Sequence, residues 1–105
     1  MVKVEIAYRG KGLASLEVKG HAGSGPYGKD LVCAAVSAIC IGALNALENS
    51  DDYDISVEEG DVEVIIPGGL SEHDETVFET MIIQLKTIQV SYPENIVIKE
   101  RKPSK

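Results

Sequence analysis

Hydrophobic and polar residues alternate from the first positions of the chain. Val2, Val4, Ile6 and Tyr8 interleave with Lys3, Glu5 and Ala7, the period of a strand with one buried face. Arg9-Gly10-Lys11-Gly12 has turn chemistry. Leu13 to Lys19 then resumes an extended pattern, with Ala14, Leu16 and Val18 on one face, which predicts a β-hairpin. Gly20 to Lys29 (GHAGSGPYGK) holds four glycines and one proline in ten residues, a density that predicts a flexible loop. Asp30 is placed to cap a helix running to about Glu48. The body of that helix, LVCAAVSAICIGALNALE, is apolar nearly all round, which predicts the central buried helix.

A polar, acidic connection (ENSDDYD) follows. Ile55 and Val57, a turn at Glu59-Gly60-Asp61, and Val62, Val64 and Ile66 predict a second hairpin, closed by Pro67-Gly68-Gly69. Ser71 with Asp74 three residues on resembles a capping box with Asp for the usual Glu. Val77, Phe78, Met81, Ile82, Leu85 and Ile88 recur at helical spacing before Pro93. Ile96 to Ile98 predicts a short closing strand, and residues 101–105 a frayed basic tail. The order ββαββαβ predicts an α+β fold: a mixed or antiparallel sheet of about five strands with two helices packed on it, in a single domain over residues 1–105.

Composition narrows the partners. The chain has 105 residues, 44% of them hydrophobic, with 17 acidic and 10 basic side chains and a net charge of −7. That supports one packed core and argues against disorder. Direct nucleic-acid binding is not expected, because a polyanion needs Lys and Arg to displace its counterions. A basic partner or a small substrate suits the charge. The apolar stretch Leu31–Leu47 is interrupted by Ser37 and Asn45 and is short for a membrane span. No basic-then-apolar leader pattern precedes the first strand, so a cytoplasmic location is expected, with no membrane partner.

The chemistry concentrates in residues 20–37. His21 sits in the glycine loop, and an N-cap at Asp30 would put Cys33 at the third helical position, among unpaired N–H groups and the positive helix end. That setting favours thiolate over thiol. An imidazole can accept the thiol proton and return it to a leaving amine, and exposed N–H groups can stabilise an oxyanion. The bland alternative is that Cys33 is packing and His21 merely solvated. Cys40, two turns further on, is expected in the core. Asp30 has two competing roles, helix cap or orienter of His21. Ser37, one turn after Cys33, either bonds back into the helix or contributes a polar contact to the site.

Rival readings fail on chemistry. Gly23 to Lys29 fits G-x-x-x-x-G-K, but Asp30 stands where a phosphate loop needs Ser or Thr. His21, Cys33, Cys40 and His73 lack the spacings of a zinc site, and no metal or other cofactor is expected. A Cys33–Cys40 bridge is excluded on one helix, where seven residues separate the Cα atoms by about 10 Å.

Gly20-His21-Ala22-Gly23, the glycine loop and Asp30-Leu31-Val32-Cys33-Ala34-Ala35-Val36-Ser37 resemble the ribosomal-processing cysteine protease family, Prp, over the whole chain. The resemblance implies a small homodimeric endopeptidase that removes a short N-terminal extension from a large-subunit ribosomal protein. It implies Cys33 as nucleophile and His21 as general base and acid, with Asp30 and Ser37 in support. The segment containing Gly20, Ala22, Gly23, Ser24, Gly25 and Gly28 becomes a flap that orders over the substrate peptide. The competing class is a non-catalytic assembly factor or binding module that holds a basic ribosomal protein on its acidic surface.

Overall fold

The computed structural model describes residues 1–20 and 27–103, with 27–30 by backbone alone. Its elements are β1 (Val2–Arg9), β2 (Gly12–Lys19), α1 (Tyr27–Asn45), a 3-10 turn (Ser50–Asp52), β3 (Asp54–Glu58), β4 (Asp61–Ile65), α2 (Glu72–Ser91) and β5 (Ile96–Arg101). The ββαββαβ order is the one the patterning predicts. The five strands form one mixed sheet, ordered β3-β4-β2-β1-β5. All neighbours are antiparallel except β1 and β5, which run parallel. That parallel pair requires a crossover, and α2 supplies it.

Alternation along the strands assigns the faces. Val2, Val4, Ile6, Leu16, Val18, Val64 and Ile96 are buried with Val32, Val36, Phe78, Met81 and Leu85 from the helices, while Lys3, Glu5 and Glu63 stay exposed. Both helices therefore cover one face of the sheet, and the other is polar and open. The first hairpin departs from simple alternation. Its register shifts between Ala7 and Tyr8, so that Tyr8 opposes Leu13. This irregularity turns Leu13 inward, where strict alternation would place Ala14.

Side-by-side packing in two layers corrects the expectation that α1 is buried all round. Val32, Val36 and Cys40 are buried, whereas Leu31 is 57% exposed and Ile41 38% exposed. The helix also begins three residues before Asp30, inside the segment read as loop. Gly28 falls in the first turn, where a glycine costs at most about 1 kcal/mol relative to alanine. At the other end α1 stops at Asn45, short of Glu48, and tightens through Ala46 N–H to Ala43 O (3.0 Å). Arg101 belongs to β5, correcting its place in the tail, and reaches Glu5 at 3.8 Å. Lys102 lies 5.6 Å from the Tyr8 ring centre.

Gly20 is also fixed. It has φ +94°, and its N–H donates to Gly60 O at 2.9 Å. A Cβ there would stand 2.6 Å from the Met1 carbonyl oxygen. Gly20→Ala combines that clash with a left-handed backbone and is expected to cost at least about 2 kcal/mol. In a thermal melt that is a drop of roughly 10 °C or more; an unchanged midpoint would show that the β2 end does not need this glycine.

Candidate active site

A groove of about 480 Å³ opens between α1 and the tip of the β3–β4 hairpin. Its floor is Val2, Val18 and Val62 from the sheet. Cys33, Val36, Ser37 and Cys40 form the α1 wall, and Val57, Glu58 and Glu59 form the opposite rim. Gly20 lines its end. The spacing of Cys33, Ser37 and Cys40 on α1 explains their sharing of one wall, since residues three and four apart fall on one helix face.

The two cysteines differ. Cys33 is half-buried in the wall and Cys40 is 1% exposed. Burial pushes the Cys40 thiol up to about 11, so almost none is thiolate at neutral pH. Cys33 is expected to react with iodoacetamide at pH 7 about a hundredfold faster than Cys40, as followed by peptide mass. Equal rates would remove the basis for separating them.

Asp30 is not the helix cap, because α1 already runs from Tyr27. Cys33 is thus the seventh helical residue. The four N–H groups without intrahelical partners belong to residues 27–30 instead, and the dipole's influence is concentrated in that first turn. Of the residues singled out from the sequence, Gly20, Cys33 and Ser37 meet in the groove, and Gly28 and Asp30 lie in the first turn of α1. His21, Ala22, Gly23, Ser24 and Gly25 fall outside the described residues. His73 is exposed, with Nε2 2.8 Å from Ala46 O. Among the described residues no three His, Cys, Asp or Glu side chains gather as a metal-ligand set, and no helix is long and apolar enough to cross a membrane.

One buried cluster has no local signature in the sequence. Ser71 caps α2 by accepting from Asp74 N–H at 3.2 Å. The Asp74 carboxylate does not reach back to complete the box. Fully buried, it accepts from Glu48 N–H (2.9 Å), Asn49 N–H (3.1 Å) and the Tyr53 hydroxyl (2.5 Å). It therefore fastens the end of α1 and the approach to β3 onto the start of α2. Desolvation pushes its pKa up, but these three donors outweigh it and hold the carboxyl below the usual range.

Comparison with known proteins agrees with this architecture. The family model described as cysteine protease Prp matches residues 1–97. The ribosomal processing cysteine protease Prp of Staphylococcus aureus is 34% identical over 101 residues, covering 91% of this chain and 95% of the relative. The Bacillus subtilis protein of the same name is 34% identical over 94 residues, covering 82% and 84%. Among solved structures, that of S. aureus Prp with a covalently linked product peptide superposes with a TM-score of 0.85 at 28% identity, covering 96% of this chain and all of that one. A second, with a substrate peptide, gives 0.77 at 26% identity, with 96% and 100% covered. The fold and the matches make this protein a cysteine protease. The chain belongs to the Prp family.

Proposed function

We propose that this protein is a cytoplasmic, homodimeric endopeptidase that removes the N-terminal extension of a large-subunit ribosomal protein through a Cys33–His21 dyad. The observation that carries the reading is the placement of half-buried Cys33 in the wall of an apolar-floored groove whose end is Gly20, the residue before His21. The names of the matched relatives supply the substrate class. In this reading His21 takes the thiol proton and Sγ attacks the scissile carbonyl. The C–N bond then breaks and the imidazolium protonates the departing amine. Water, deprotonated by His21, hydrolyses the thioester and returns the thiol. Asp30, one helical turn before Cys33, and Ser37, one turn after it, support the pair. The glycine segment serves as the flap over the bound peptide. The exposed apolar side chain of Leu31 on α1 supports self-association.

The test is incubation of the purified protein with the unprocessed ribosomal protein, followed by mass measurement. Two fragments summing to the substrate plus one water are expected; an intact substrate overturns the reading.

A further inference from the structure

The sheet ends in two edge strands, β3 and β5, which differ in charge and in place. β5 carries Lys99, Glu100 and Arg101 and is followed by Lys102, a net positive edge, and none of its residues lines the Cys33 groove. β3 ends in that groove, through Val57 and Glu58. Val57 pairs with buried Val62 and shares its side of the sheet, yet it is 49% exposed. An open edge offers a row of unpaired N–H and C=O groups to any chain that approaches it extended.

The charges around β3 select what can use that edge. Asp54 and Glu58 are its end residues, and Glu59 and Asp61 flank the turn beyond. A second copy would bring the same negative charges against them, which disfavours edge-to-edge pairing. A cationic segment meets no such repulsion. The groove continues from Val57 to Cys33, so a strand laid on β3 would run on into the reactive site.

We propose that the substrate chain adds to β3 as a sixth strand, holding its backbone on this edge while alternate side chains enter the Cys33 groove. This inference rests on the endopeptidase reading and deepens it. Main-chain pairing would give affinity and register, and the groove would select the side chains. A terminal extension suits the mode, since it reaches the edge without unfolding a domain.

The probe is a synthetic peptide spanning the extension and the first mature residues, with single backbone N-methyl groups moved along it. Dissociation constants are measured with Cys33→Ala and kcat/KM with the native enzyme. Methylation at every second position is expected to weaken both by about tenfold, with intervening positions within about twofold, because alternate N–H groups of a strand point to the same neighbour. Amide exchange of Cys33→Ala with the unmodified peptide should slow in β3 and stay unchanged in β5. Losses without alternation, protection on β5 in place of β3, or no binding of the unmodified peptide overturns strand addition. Alternating binding and β3 protection without cleavage by the native enzyme would leave strand addition standing and remove the endopeptidase reading.

Discussion

Replacing Cys33 with alanine is expected to lower cleavage of the unprocessed ribosomal protein by at least about a thousandfold, the scale seen when a nucleophile is deleted. The fold should survive. Cys33 is only half-buried, and alanine is the best helix former. The thermal midpoint is therefore expected to stay within roughly 5 °C of the native value, for a stability change below about 1 kcal/mol. Cys33→Ser should be inactive as well, because a hydroxyl is far harder than a thiol to deprotonate. Cys40→Ala provides the opposite profile. Cys40 belongs to the core at 1% exposure, so its truncation costs about 1–2 kcal/mol and leaves the chemistry intact. Retained cleavage by purified, folded Cys33→Ala would falsify the assignment.

The largest loss of stability is expected from Asp74→Ala. The native carboxylate is fully buried and takes hydrogen bonds from Glu48 N–H, Asn49 N–H and the Tyr53 hydroxyl. Alanine leaves these donors without their acceptor, at about 3–5 kcal/mol for the set. That is a substantial part of the whole stability of a small domain. Tyr53→Phe removes one donor and keeps the ring against Phe78, where the two pack edge-on at 6.2 Å, so a smaller loss of about 1–2 kcal/mol is expected. The pH dependence has a definite sign. A carboxyl whose folded-state pKa is lowered contributes its full stability above the unfolded value near 4, and loses it as pH falls through the lowered folded value. The gap between native protein and Asp74→Asn in urea unfolding should therefore be wide at pH 7 and shrink below about pH 4. A gap that stays constant down to pH 2 would show that the carboxylate's charge is not what the donors hold.

The same residue marks the limit of local sequence signals. The capping position of Ser71 could be read from its spacing, because a cap is a local interaction within one turn. The same spacing predicts that Asp74 completes a box, whereas its carboxylate serves Glu48, Asn49 and Tyr53, 21 to 26 positions away. Nothing local announces a contact across that separation. The start of α1 is the converse case. Glycine density and the capping chemistry of Asp30 favour a later start, whereas α1 runs from Tyr27. Local propensity is worth about 1 kcal/mol per residue or less, too little to fix a helix boundary by itself.

Local patterning was enough to establish seven elements and their order: period 2 for the strands, period 3.6 for α2, turn residues for the hairpins and, for α1, a long apolar run bounded by a glycine-rich loop and an acidic connection. It also separated the residues with chemistry to offer, His21 and Cys33, from the apolar repeat around them. Only the tertiary structure decided that α1 keeps an outward face, that both helices lie on one side of the sheet, and that the β3–β4 tip closes a groove against Cys33. Those outcomes depend on strand order and on which surfaces meet. They are set by contacts between residues far apart in sequence, for which local patterning carries no signal.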